Sequence, residues 1–400
     1  MTFLSIVDTP NQQTNHGRRL RQNLLEPAAA LLQPQPPLCD NGTLLSVFSS
    51  LKVESSLPAT VAELPAFDEI IDVRSPGEFA EDHIPGAINL PVLGDAERER
   101  VGTLYKQVSS FEAKKVGAAL VSRNIAQHLD TWFAGKPKSY RPLVYCWRGG
   151  SRSGSLTHVL QKIGFAAEQL EGGYKAYRRH VVAELARLPA QFSYRVVCGP
   201  TGSGKSRLLL ALASEGAQVL DLEVLAAHRG SLLGALPGQD QPSQKSFESA
   251  VWAALSRFDP NRPVFVESES KKIGALRVPD ALIAAMHASA CLRLEVPLAA
   301  RVQLLTEDYV HFLHDPETIN RQLGYLTSLR GSETIGAWQA LANRQAWPEL
   351  VAALLAEHYD PAYFKSLSRN YAATPTDQTF HTEDLSADGL QQLARAILTA

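Results

Sequence analysis

Residues 194–206 read YRVVCGPTGSGKS, and this stretch decides the architecture of the second half of the chain. Tyr194 to Cys198 is a short apolar run of the kind that forms a buried strand, and the apolar series Leu208 to Ala213 beyond it predicts a helix. Between them Gly199 to Ser206 fits the pattern G-x-x-x-x-G-K-S. Glycines at such a strand-to-helix turn let successive backbone N–H groups face phosphate oxygens, a lysine reaches the terminal phosphate, and a serine hydroxyl suits a magnesium ion. The expected phosphate-binding residues are therefore Gly199, Thr201, Gly202, Ser203, Gly204, Lys205 and Ser206. Glu267 and Glu269 follow the apolar strand Val264 to Val266 and could hold metal-bound water, so Ser206 and Glu267 are the magnesium ligands expected here.

Outward from this loop, Ala217 to Leu222, Pro263 to Glu267 and Ala290 to Val296 read as further strands alternating with helices, and beyond Ala299 the chain reads as almost wholly helical. Upstream, Tyr177 to Leu188 predicts a helix ended by Pro189, suited to joining two domains. Glu69 to Val73, Leu143 to Tyr145 and Ala167 to Leu170 are three more candidate strands separated by helical patterns, as a parallel sheet requires. A chain of 400 residues with 45% hydrophobic composition is long enough for two or three domains. The expected division is an N-terminal extension at 1–60, partly disordered, an α/β domain at 61–187, and a second α/β domain at 188–400 with a helical C-terminal region.

The second motif is Cys146-Trp147-Arg148-Gly149-Gly150-Ser151-Arg152-Ser153, between a buried strand and a helix start near Ser153. Small residues whose N–H groups turn inward, with a helix N-terminus, make a positive nest that favours a thiolate and binds an oxyanion. Arg148 and Arg152 add formal charge, and with Cys146 they are the expected catalytic residues. The formal net charge of −2 excludes a global pull toward polyanions, so any nucleic acid must meet a local patch. Lys175, Arg178 and Arg179, interleaved with Tyr174 and Tyr177, form such a cluster; Asp221, His228, Arg229 and Ser231 are further candidates for a second substrate. Cys39, Cys146, Cys198 and Cys291 lie too far apart for a disulfide scaffold or paired metal ligands. No apolar run of about 18 residues is present, so the expectation is a cytoplasmic protein without membrane contact.

Asp72-Val73-Arg74, Glu78-Phe79 and His83 to Pro91 (HIPGAINLP) resemble the opening of a rhodanese domain, and the cysteine loop falls where rhodaneses carry a sulfur-accepting cysteine. From Cys146 to Arg152 the spacing is Cys-x5-Arg, one residue longer than the usual sulfurtransferase loop, which suggests a tetrahedral, phosphate-like donor. Joined to a P-loop, this resembles the tRNA 2-selenouridine synthase family. The shared pattern includes CWRGGSRS, Val101-Gly102-Thr103 with Tyr105-Lys106-Gln107, EGGYKA at 171–176, Asp221-Leu222-Glu223, His228 to Ser231, Ser246-Phe247-Glu248 and Tyr359-Asp360-Pro361. The resemblance implies a tRNA substrate whose wobble 2-thiouridine is geranylated from geranyl diphosphate and then selenated from selenophosphate, with selenophosphate synthetase as a protein partner. Nothing in the P-loop reads a base or a ribose, so a rhodanese sulfurtransferase fused to an ATP-dependent kinase or adenylating domain is the alternative.

Overall fold

The structure is a computed structural model that describes residues 58–230, 234, 238–308, 316–371 and 377–400. Nearly all of the expected N-terminal extension, and Ser231, lie outside these residues. The first sheet is built from β1 (Glu69–Asp72), β2 (Ile88–Asn89), β3 (Pro142–Tyr145) and β4 (Glu168–Gln169) in the order β2-β1-β3-β4, all parallel. A parallel sheet must be covered on both faces. Side chains alternate across β3: Val144 faces a core with Ile71, Leu156 and Leu160, whereas Leu143 and Tyr145 face Tyr174, Tyr177 and Val181. The helices around it are α1 (Pro76–Glu81), the paired α2 (Asp95–Gln107) and α3 (Ser110–His128), α4 (Ser151–Ile163) and α5 (Gly173–Arg187). Ala59, within the expected extension, is buried and bridges Leu170 beside this sheet.

The second sheet runs β11-β10-β5-β7-β6, again wholly parallel. Its members are β5 (Tyr194–Cys198), β6 (Gln218–Leu220), β7 (Val264–Glu267), β10 (Ala290–Glu295) and β11 (Gln378–His381). Helices α6 (Lys205–Ser214), α7 (Leu222–Ala226), α8 (Gln244–Leu255) and α9 (Asp280–His287) connect them, with a small hairpin of β8 (Lys272–Ile273) and β9 (Leu276–Arg277). The expected α/β fold with two parallel sheets is the one observed. Beyond Ala299 the described chain is almost wholly helical, as expected; the exception is β11, a four-residue, largely polar edge strand beside β10, with no apolar run to announce it. Beyond β10 come α10 (Leu298–Asp308), then α11 (Pro316–Gly324), α12 (Thr327–Arg330), α13 (Ser332–Asn343) and α14 (Trp347–Leu354), whose own core centres on buried Trp338. Helix α15 (Asp360–Asn370) and α16 (Ala387–Thr399) complete the chain. Among the described residues no helix is long and apolar enough to cross a membrane.

Helix α5 belongs to both halves. Tyr174, Tyr177, Val181 and Leu185 share one continuous core with Phe247, Val251, Val196 and Met286 of the second sheet's layer. A charged chain reinforces this. Arg74, 1% exposed, donates to Asp72 (2.6–3.1 Å) and to the Asp82 carbonyl (2.6 Å), and its guanidinium lies 4.0 Å from the Tyr174 ring centre. The Tyr174 hydroxyl donates to Asp82 (2.8 Å), which Arg178 approaches to 3.7 Å. Arg74→Ala leaves Asp72 buried without its partner and should lower the unfolding free energy by about 3–5 kcal/mol, read by chemical denaturation. A loss below about 1 kcal/mol would show that the network does not hold this domain together.

Candidate functional site

Two loops of similar construction sit at strand ends. In each a glycine in the left-handed region, Gly150 (φ 82°) or Gly204 (φ 78°), hands the chain directly to a helix, leaving that helix's first N–H groups for an anion. In the first loop Cys146 directly follows β3 and is 2% exposed. The Ser153 hydroxyl donates to its Sγ at 3.4 Å, and the thiol lies 3.6 Å from the Arg148 carbonyl oxygen. Gln169 on β4 pins the turn by donating to Ser153 Oγ (2.8 Å) and the Gly150 carbonyl (3.2 Å). From behind, the start of α5 closes on the loop: the N–H groups of Tyr174 and Lys175 donate to the carbonyls of Cys146 (2.8 Å) and Trp147 (3.0 Å). Gly173 permits this approach, because a Cβ there would collide with the Cys146 carbonyl oxygen.

The two expected arginines are placed differently. Arg148 is solvent-exposed. Arg152 forks onto Glu78 of α1 at 2.6 and 3.3 Å. Burial pushes the Glu78 carboxyl up, but Arg152, together with the Ser75 N–H and Arg98, outweighs it and holds the group below the ordinary carboxylate range. The structure thus brings the expected Arg152 to a partner 74 positions away that the loop motif does not reveal.

In the second loop Lys205 Nζ lies 3.5 Å from Glu267, and the Ser206 hydroxyl bonds Glu223 (2.9 Å) and Glu267 (3.1 Å). Ligand atoms of Glu223, Glu267 and Glu269 lie within 4.8 Å of one another. Burial, followed by the charges of Glu267 and Glu269, pushes Glu223 up to about 9; burial, followed by Glu267, pushes Glu269 up to about 7. A hard-oxygen set of a hydroxyl and crowded carboxylates beside a phosphate cradle fits magnesium, and Glu223 joins the expected Ser206 and Glu267. Sequence reading missed Glu223 as a ligand because only the fold brings it opposite the loop.

A cavity of about 570 Å3 opens beside Thr201, Gly202, Gly204, Lys205 and Ser206. The rest of its lining joins an apolar stretch of Leu210, Leu304, Leu305, Ala362 and Leu367 to polar groups that include Arg207, Ser270, Asp308, Tyr363 and Ser366. Arg301 of α10 fastens part of this wall to the loop, donating to the Thr201 carbonyl (2.9 Å) and forking onto Asp360 at the start of α15 (2.6 and 2.9 Å). Arg229 and Gly230 reach the cavity, whereas neither Asp221 nor His228 does. Asp221 instead caps α7, accepting from the Val224 N–H at 2.9 Å, and His228 is buried, its backbone N–H bonded to the Glu223 carbonyl.

The basic cluster on α5 is also divided. Lys175 and Arg179 are exposed. Arg178 is turned into the junction between the halves, bonding Glu248, Ser249 Oγ (3.2 Å) and the Lys245 carbonyl (3.1 Å). Tyr174 and Tyr177 are core residues, so the expectation that they offer faces for stacking is corrected: their spacing with Val181 and Leu185 is that of a buried helical stripe.

Residues 57–180 match the rhodanese-like domain, and residues 192–327 match the tRNA 2-selenouridine synthase AAA domain. A tRNA 2-selenouridine synthase of Alcanivorax borkumensis is 34% identical over 332 residues, covering 75% of this chain and 90% of that protein. The chain belongs to the tRNA 2-selenouridine synthase family. The relative from Chromohalobacter salexigens is 35% identical across 79% of this chain and 92% of its own length. That from Nitrosomonas europaea is 39% identical, with the match covering 60% of this chain and 63% of that protein. In this member of the family the two domain matches meet around the C-terminal end of α5, the helix shared by both cores.

Inorganic pyrophosphate probes the second loop directly. Lys205→Ala should weaken its binding about tenfold or more, and Arg301→Ala, which frees Thr201 and α15, by a smaller factor, both by calorimetry. Parental affinity in Lys205→Ala would remove this loop from phosphate binding.

Proposed function

We propose that this chain is a two-step tRNA-modifying transferase, with its two reactions divided between the two loops. At the P-loop, geranyl diphosphate alkylates the sulfur of wobble 2-thiouridine; at the cysteine loop, selenium from selenophosphate replaces the geranylated sulfur. The observation that carries this reading is the cavity itself, which joins a phosphate cradle to a wall of leucines, an alanine and a tyrosine. A diphosphate with an apolar tail satisfies both parts. The reading rests also on the family, whose members carry the synthase name.

The chemistry explains why two loops are needed. Thiocarbonyl sulfur leaves poorly until alkylated, and an allylic diphosphate ionises once charge on its departing oxygens is stabilised. Lys205 and the N–H groups at the start of α6 supply that stabilisation. Magnesium held by Ser206, Glu223 and Glu267 would offset further charge on the diphosphate. In the cysteine loop, the N-terminus of α4 and exposed Arg148 bind the tetrahedral selenophosphate, and Cys146, with Ser153 donating to its sulfur, is the thiol on which the exchange depends, selenium keeping its oxidation state while the phosphoryl group passes to water. Lys175 and Arg179 meet tRNA phosphates on the exposed face of α5, a site for this reaction in the cytoplasm, with selenophosphate synthetase supplying the donor.

Lys205→Ala should abolish geranyl transfer to 2-thiouridine tRNA yet still selenate a supplied, geranylated tRNA, while Cys146→Ala should show the reverse. Mass spectrometry of the nucleosides reads both. A strict ATP requirement in the parent, or loss of both steps in Lys205→Ala, favours the ATP-driven alternative. For tRNA binding, the Lys175→Ala/Arg179→Ala double variant should flatten the slope of log affinity against log salt by about 1–2, whereas Arg178→Ala should lower stability and leave that slope unchanged. An unchanged slope in the double variant would place the RNA path elsewhere.

A further inference from the structure

A groove of about 650 Å3 in the first domain takes no part in the reaction as described so far. Its floor is apolar, made by buried Leu93, Ala113, Gly117 and Ile125 with half-buried Val101 and Val121, and it is walled by the α2–α3 pair and α4. Its polar lining lies largely on exposed rim positions such as Lys114, Ser122 and His158. The groove reaches the first turn of α4, the helix that the cysteine loop enters, through Ser151 and Arg152, five and six residues after Cys146. Arg152 is neutralised there by Glu78, so this contact does not dedicate the groove to an anion. Tyr105, on the Val101 to Gln107 motif and 60% exposed, also lines it, and Val108 and Phe111 at the α2–α3 turn are exposed as well. Folding gives no reason for an apolar channel with exposed aromatic and aliphatic groups at this place, and its size falls within the roughly 300–1,000 Å3 of small-molecule sites.

We propose that this groove seats the ten-carbon prenyl chain of the S-geranylated uridine during selenium exchange; the assignment rests on the two-step reading above. In that step the C2–S bond of the base breaks as a C2–Se bond forms. Selenophosphate supplies selenium at unchanged oxidation state, and water takes up the phosphoryl group to give phosphate. N3 of the base and the departing sulfur each end with one proton, so the second product is geranylthiol. The sulfur being displaced must lie at the cysteine loop, and its chain must lie where that loop adjoins an apolar surface. The P-loop cavity seats the same chain as a diphosphate ester in the other domain, so the chain has one seat for arrival and another for departure.

Ala118 lines the groove from an exposed position on α3, so a large side chain there fills the channel without entering a core. Ala118→Trp should reduce kcat/KM for converting S-geranyl-2-thiouridine tRNA to 2-selenouridine by about tenfold or more. It should leave geranyl transfer unchanged, and it should convert an S-methyl-2-thiouridine tRNA as the parent does; Ala118→Ser should match the parent on all three substrates. Parental conversion of the geranylated tRNA by Ala118→Trp, or an equal loss on the methylated and geranylated tRNAs, overturns the assignment. A changed oligomeric state with both reactions intact gives the groove to a second copy of the chain and overturns it too. A parent enzyme that converts no geranylated tRNA at all, releasing no geranylthiol, overturns the two-step reading, and this assignment with it.

Discussion

The close contact between the first turn of α5 and the carbonyls of Cys146 and Trp147 is the constraint from which the rest of the structure follows. A helix N-terminus has N–H groups without partners of its own, and here two of them take the backbone oxygens of the cysteine loop. The approach is short enough that position 173 must be glycine. Farther along, the same helix buries Tyr177, Val181 and Leu185 among residues of the second sheet's layer. One rigid rod therefore sets the shape of the thiol loop at one end and the seat of the P-loop domain along its length. Arg178 reinforces it, its charge shared between Asp82 and Glu248 on opposite sides of the junction.

The two loops show how one backbone device serves two chemistries. Each ends a parallel strand and enters a helix through a left-handed glycine. What differs is the second row of side chains. Behind Cys146 stand a serine hydroxyl and the Gln169 amide, neutral groups that orient a sulfur. Opposite Lys205 stand three carboxylates, two of them pushed toward their neutral forms by burial and mutual repulsion, an arrangement that a divalent ion would relieve. The contrast puts the thiol and the carboxylate cluster in separate domains.

Much of this was legible in the sequence because it is written in contiguous residues. Tyr194 to Cys198 is the observed β5 to the residue, and both loop motifs are local patterns of glycine, charge and strand. What escaped is non-local or too short to carry a period. Strand β2 has two residues and β11 is mostly polar, so neither presents an apolar run. Arg152 and Arg178 read as free cations because their partners, Glu78 and Glu248, stand some 70 positions away. Glu223, on α7, joins Glu267 and Glu269 in one carboxylate cluster only through the fold. The burial of Tyr174 and Tyr177 was within reach, since their spacing with Val181 and Leu185 marks a helix face turned to a core.

The clamp of Arg301 on Thr201 and Asp360 bears on how a ligand enters the P-loop cavity. In many phosphate-binding enzymes the wall over the substrate is a lid that closes as the phosphate arrives, and part of the binding free energy is spent on ordering it. Here α10 and α15 are tied to the loop by a buried guanidinium that the fold itself supplies. The wall is a mould cast during folding, so the entropy of shaping it is charged to the fold rather than to the ligand. A wall set in this way sorts ligands by their fit to a fixed shape, as a gauge does, instead of yielding to whichever one arrives.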